Sequence, residues 1–351
     1  MSIEADIDEL ISNAIQDQTF PGAVIGFIRN DTITILPFGR LTYDEKAEKV
    51  TTQTVYDIAS LTKVIPTNSI ILSLIEKDLL SLDDQVATFI PELMAAHKND
   101  VRIKHLLTYT AVFDMQHRLS YYASKGKDAI LAAIYNAPLK HPLGEHYGYS
   151  NIPPILLGMI AETILKRPLD NIADTMFFHP LQMHHTTFHP EKLQSATIAP
   201  TEINTRGKVI GKVHDEAAWA FYQAGAMNGA AGVFSTASDL LRFCHMLLHD
   251  GQYNNHQYFE PSTVAKMWTE VVRDGNSGVS LGWYTTHPSY IPANLSPHIF
   301  GKDGFTGSLI LLDPDKKNGL VMLSNRTYPK RPETPIMINE VRRRLVEIIL
   351  N

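Results

Sequence analysis

The chain has 351 residues, 44% of them hydrophobic and 19% charged. That composition excludes disordered, collagenous and repeat-built proteins and leaves room for two domains of about 150 residues or one interrupted domain. Lys plus Arg number 31 against 37 Asp plus Glu, a net charge of −6, and no concentrated basic face offers itself to a nucleic-acid backbone.

In chain order, Ile3, Ile7, Leu10, Ile11, Ala14 and Ile15 recur at helical spacing and predict an amphipathic N-terminal helix. The acidic stretch Met1–Leu10 lacks the positive start of a signal peptide, and no apolar run approaches about 18 residues. The expectation is a cytoplasmic protein with no membrane contact, although a processed secreted chain would read the same. Ala23–Ile28 and Thr32–Leu36 predict a hairpin across the turn Arg29-Asn30-Asp31. From about 64 to 182, and again from 236 to 250, the pattern is helical or loop-like. Ser308–Leu312 and Leu320–Leu323 predict two further strands around a turn-rich 313–319, and Ile338, Val341, Leu345, Ile348 and Ile349 mark a closing helix. Helix and strands at both ends predict an α+β protein: an antiparallel sheet flanked by helices, with residues 1–80 and 200–351 forming the sheet domain and 81–199 an inserted, mainly helical one.

Other features read as structural. Arg342, Arg343 and Arg344 predict a solvated helix face with favourable end charge. Cys244, the one cysteine, permits no internal disulfide or cysteine cluster and sits in an apolar helical pattern. His245 and His249 share a helix face but lack a glutamate and a third ligand, so no metal and no cofactor are expected.

The candidate nucleophile is Ser60, in Ile58-Ala59-Ser60-Leu61-Thr62-Lys63 at a junction between extended chain and helix. Spacing i, i+3 puts Lys63 on the same face, where an amine can activate a hydroxyl, and first-turn amides there favour a developing oxyanion. The triplets are weak singly: Ser-x-x-Lys recurs at Ser124–Lys127, Tyr-x-Asn occurs at Tyr149–Asn151 and Tyr253–Asn255, and Lys-x-Gly occurs at Lys302–Gly304 and Lys317–Gly319.

Order and surroundings are stronger. With Pro21-Gly22-Ala23, His105-Leu106-Leu107-Thr108, Tyr149-Ser150-Asn151, Ala231–Leu240, Gly301-Lys302-Asp303-Gly304-Phe305-Thr306-Gly307 and Leu323–Arg326, the chain resembles the serine β-lactamase and penicillin-binding protein superfamily, especially its class C-like branch of esterases and D-amino-acid peptidases. The resemblance implies a β-lactamase/transpeptidase-like fold and a serine hydrolase acting through an acyl-enzyme on an ester, amide or β-lactam-like carbonyl of a small molecule or peptide. An acyltransferase, or a penicillin-binding-like protein that acylates and stalls, is the alternative. By the same resemblance Ser60 is acylated, Lys63 manages its proton, Tyr149 is the general base with a phenol pKa lowered by neighbouring ammonium charge, and Asn151 orients Lys63 and substrate. Lys302 adds positive charge, the Ser60 and Phe305 amides form the oxyanion hole, and Asp303, Gly304 and His214 contact substrate.

The chain departs from that pattern in places. Asp303 stands where the third motif usually has Thr, and many esterase relatives have His at the position of Lys302. Pro66 falls early in the expected catalytic helix, where it removes a backbone donor. Tyr109–Phe113 replaces the usual small residues of an active-site loop, and Val213–Ala217 resembles a segment of one branch, read either as a site-edge loop or as a polar turn. Natural substrate and oligomeric state are not readable from the sequence.

Overall fold

The computed structural model describes residues 2–95, 98–287, 289–291 and 295–351. Eight strands form its main sheet: β1 (Gly22–Arg29), β2 (Thr32–Gly39), β3 (Val272–Asp274), β4 (Ser277–Val279), β5 (Tyr284–Thr286), β6 (Phe300–Asp303), β7 (Leu309–Asp313) and β8 (Asn318–Ser324). Their order is β2-β1-β8-β7-β6-β5-β4-β3, and neighbouring strands run antiparallel. Ala23 lies opposite Ser324 and Ile28 opposite Gly319, so the two ends of the chain share one sheet, as the terminal patterns predict.

Six helices matter for the site: α1 (Ile3–Gln16), α2 (Ser69–Glu76), α3 (Ile152–Leu165), α4 (Glu216–Gln223), α5 (Ala237–Leu248) and α6 (Ile336–Leu350). On one sheet face, Leu309, Leu311, Leu320 and Met322 pack with Ile7 and Ile11 of α1 and Leu345 and Ile349 of α6. On the other, Ile310, Leu312, Val321 and Leu323 pack with Leu240, Leu241 and Cys244 of α5. Burial of both faces explains why β7 and β8 read as continuous apolar runs rather than alternating ones. Each such Leu or Ile contributes about 1.5–3 kcal/mol by leaving water.

Between Tyr56–Asp57 and Glu202–Asn204 the described residues form helices and loops, with no strand beyond isolated bridges. No helix among the described residues is long and apolar enough to cross a membrane.

Two local expectations need correction. Arg342 does not belong to a solvated face: it is 1% exposed, because it falls on the same helical stripe as Ile338, Val341, Leu345 and Ile349. Arg344 is exposed as expected, and Arg343 is half-buried and paired with Glu340 and Glu347. The segment after Ser60 is also not one regular helix. Ala59–Lys63 is a tight 3₁₀ turn and Val64–Asn68 a wide π turn before α2 begins. Pro66 sits in that wide turn, where its missing donor interrupts the ladder without ending the helix.

Candidate active site

In a 3₁₀ turn side chains at i and i+3 eclipse one another. Lys63 Nζ accordingly lies 2.8 Å from Ser60 Oγ, with the Ala230 carbonyl as its second partner at 2.9 Å. Ahead of Ser60, Ala59 takes φ 47°, left-handed backbone unfavourable for any residue but glycine. Asp57 holds it there. One carboxylate oxygen accepts the Ala59 N–H at 2.8 Å and the other the His214 N–H at 2.7 Å.

The stretch after β6 is fastened to this turn. Thr306 Oγ1 donates to the Asp57 carbonyl at 2.8 Å and Ser308 Oγ to the Ile58 carbonyl at 2.9 Å. Gly304 is required by this closeness, since a Cβ there would lie 2.6 Å from the Ile58 carbonyl oxygen and 2.1 Å from Ser308 Oγ.

Tyr149 stands over both lysines, its ring centroid 5.4 Å from Lys63 Nζ and 4.3 Å from Lys302 Nζ. Lys302 is fully buried and enters a tyrosine cage, with Tyr284 at 4.0 Å and Tyr109 at 5.3 Å. Its ammonium nitrogen has no hydrogen-bond partner among the described residues. Burial drives Lys302 well below the ordinary lysine pKa, and Lys63 nearby lowers it further, against the opposing pull of Asp303. Burial likewise brings Lys63 down to about 7, with Asp215 and Asp303 opposing.

The phenol behaves contrary to expectation. Although 41% of Tyr149 is exposed, desolvation of the phenol pushes its pKa up rather than down. The ammonium charge expected to lower it is diminished, because burial also disfavours the charged forms of Lys302 and Lys63.

A cleft of about 560 Å³ opens beside these groups, lined by Ser60, Tyr149, Asn151, His214, Asp215 and Phe305 among others. Lys302, Asp303 and Gly304 are not part of that lining: Lys302 lies beneath Tyr149, and Asp303 is paired with Arg342 at 2.8 Å. Asn151 donates to Asp215 at 3.2 Å, whereas Lys63 is held by Ser60 and Ala230. His214 is buried, lines the cleft with its ring 5.7 Å from that of Phe305, and has no hydrogen bond to either ring nitrogen among the described residues, although Glu202 lies 3.8 Å from Nδ1. Burial lowers its pKa to about 4, so the imidazole is neutral near neutral pH.

The sequence reading missed four contributors. Asp57 precedes the nucleophile but carries no motif of its own. Asp215 caps α4 through the Ala218 N–H at 2.8 Å and also holds Asn151. Arg342 was masked by its arginine neighbours, although the helical stripe through Ile338 and Leu345 includes its position. Tyr284, which stands in no motif, forms the near wall of the Lys302 cage.

Comparison with known proteins agrees with this architecture. The profile of the Beta-lactamase family matches residues 7–341. A putative D-alanyl-D-alanine carboxypeptidase of Escherichia coli K12 is 33% identical over 315 residues, covering 81% of this chain and 72% of that protein. The Salmonella typhimurium protein of the same name is 32% identical over 311 residues, covering 80% and 71%. Among solved structures, a class C β-lactamase superposes with a TM-score of 0.78 at 21% identity, covering 98% of this chain and 96% of its own. The D-alanine carboxypeptidase AmpC from Burkholderia cenocepacia gives 0.77 at 19% identity, covering 98% of each chain. Fold and relatives together define a serine hydrolase. Within that class, the chain belongs to the β-lactamase family.

Proposed function

We propose that the protein hydrolyses a carboxylic ester or amide, including peptide and β-lactam-like carbonyls, through an acyl-enzyme on Ser60. The observation that carries this reading is the 2.8 Å contact between Ser60 Oγ and the buried amine of Lys63, whose pKa is near 7. An amine so tuned is partly neutral at physiological pH and can take the serine proton, which an ordinary lysine cannot.

In this reading Ser60 Oγ attacks the carbonyl as its proton passes to Lys63, and the amides of Ser60 and Phe305 receive the oxyanion. The Tyr149 phenol, kept protonated by its raised pKa, donates to the departing alkoxide or amine and is reprotonated from Lys63. Water then enters, passes its proton to Lys63 as it attacks the ester, and the bond from Ser60 Oγ to the acyl carbon breaks as Lys63 returns that proton to Oγ and the acid leaves. Asn151, fixed by Asp215, offers hydrogen bonds to the substrate along the cleft, which the ring of His214 lines. Asp303, tied to Arg342, acts on the turn behind the site rather than on the substrate.

The relatives named as D-alanyl-D-alanine carboxypeptidases support a peptide among the candidate substrates. The test is release of p-nitrophenol from a short-chain p-nitrophenyl ester by the wild type and Ser60→Ala, with intact mass followed during turnover. Ser60-dependent release with a transient acyl mass is expected. A persistent adduct without turnover would replace hydrolase by stalled acylation, and product formed only with an added alcohol would replace it by acyl transfer.

A further inference from the structure

The turn that carries the Phe305 amide is gripped from behind by a single side chain. Arg342, on the buried stripe of α6, donates through Nη1 to Asp303 at 2.8 Å and Asn339 at 3.0 Å. Its Nη2 donates to the carbonyls of Gly304 at 3.0 Å and Ser308 at 2.9 Å. These carbonyls mark the two ends of one turn, closed by Gly304 N–H to the Ser308 carbonyl at 2.8 Å and Gly307 N–H to the Gly304 carbonyl at 3.1 Å.

The Gly304 carbonyl and the Phe305 N–H belong to the same planar, trans peptide and point in opposite directions. A donor fixed on the carbonyl therefore fixes where the N–H aims. The Phe305 N–H donates to no group among the described residues, and Phe305 shares the cleft lining with Ser60. A charged donor on the carbonyl also polarises the peptide, strengthening its N–H toward a developing oxyanion.

We propose that Arg342 is a positioning residue of the reaction: by holding the Gly304 carbonyl it aims and polarises the Phe305 amide, with Asp303 orienting the guanidinium. This rests on the acyl-enzyme reading above. It also gives the Asp303 departure a purpose, since a threonine there carries no charge to set against Arg342. Lysine cannot replace Arg342, because one ammonium cannot present the planar fork that reaches a carboxylate and two carbonyls together.

The test compares p-nitrophenyl acetate with its thiono counterpart, in which sulfur replaces the carbonyl oxygen and accepts hydrogen bonds poorly. Losing one oxyanion donor slows reactions by about 10²–10³-fold, so misaiming it in Arg342→Lys is expected to lower kcat/KM for the oxygen ester by about tenfold or more. The thiono ester should change far less, and the oxo-to-thiono ratio should fall, while the control Arg343→Ala keeps the wild-type ratio. A purely structural role would slow both esters alike, and that result, or no change in either, overturns the proposal. If Arg342→Lys does not fold, Asp303→Asn is measured instead, with a smaller fall in the ratio expected and an unchanged ratio counting against the proposal. Absence of Ser60-dependent release from the wild type overturns the acyl-enzyme reading itself. Wild-type turnover with an unaltered ratio in the variants overturns only the role of Arg342.

Discussion

Lys63 Nζ and Ser60 Oγ stand 2.8 Å apart in the 3₁₀ turn, and burial sets the amine to titrate at about 7. Only the neutral amine accepts the serine proton, so kcat/KM for a neutral ester should rise with pH along a limb centred near 7, and Lys63→Met should lose about 10³-fold or more. A flat profile from pH 6 to 8 would remove Lys63 as the base. Stability follows the same group. A lysine pKa lower in the folded than in the unfolded chain contributes stability that is present above the ordinary value of 10.5 and lost as pH falls through 7. Thermal melts of the wild type, compared with Lys63→Met, should therefore shift in the wild type's favour between pH 7 and 10.

Asp57 uses both carboxylate oxygens at once, for Ala59 and for His214. Asparagine has one acceptor oxygen, so Asp57→Asn sets an amide N–H against one of those donors and should lower both melting temperature and acylation rate. Burial raises the Asp57 pKa to about 6. Its titration therefore favours the folded state increasingly as pH falls from about 6 toward 3.8, and this contribution is lost as pH rises through 6. The stability gap between wild type and Asp57→Asn should widen on acidification from pH 7 to 4.5, and a gap that narrows would show that the carboxylate is not desolvated as described.

What could be read in the sequence followed from local pattern. β7 and β8 were visible because both their faces are buried, and α1 and α6 because their apolar stripes lie on the sheet. β3 and β4 were not, since Val272-Arg273-Asp274 and Ser277-Gly278-Val279 are three-residue strands with polar members and no period long enough to register. At the site, Ser60, Lys63, Tyr149 and Lys302 stand in recognisable stretches. Asp57, Asp215 and Arg342 each join a local partner to one distant in sequence, His214, Asn151 and the 303–308 turn respectively, and no local pattern records the distant half. The direction of the Tyr149 pKa was misread for a related reason: burial of the phenol itself raises it, and burial also disfavours the charged forms of the lysines that would lower it.

Lys302 is buried without a hydrogen-bond partner for its nitrogen among the described residues. Its tyrosine cage does not offset the desolvation, as the lowered pKa records. Lys302→Met, with similar volume and no polar atom, should raise the melting temperature while slowing hydrolysis, because the packing and residual polarity beneath Tyr149 change. A fall in melting temperature would mean that the charged lysine is bound favourably by the tyrosine rings and that its pKa lies higher than described.

Ala59 joins the nucleophile's placement to backbone strain. Its φ of 47° places it in the left-handed region, where a Cβ costs roughly 1–2 kcal/mol; Asp57 and the fastening of Thr306 and Ser308 hold it there. Glycine tolerates that conformation freely but gains entropy in the unfolded chain, so Ala59→Gly should leave the melting temperature within a few degrees of wild type and hydrolysis within a few-fold. A β-branched residue does worse there on backbone grounds alone, because its second γ-substituent crowds the left-handed backbone. Ala59→Val should therefore destabilise by about 2 kcal/mol or more and displace Ser60 from Lys63, with the loss appearing mainly in kcat. If valine were accepted with normal turnover, the left-handed turn before Ser60 would not be what positions the nucleophile.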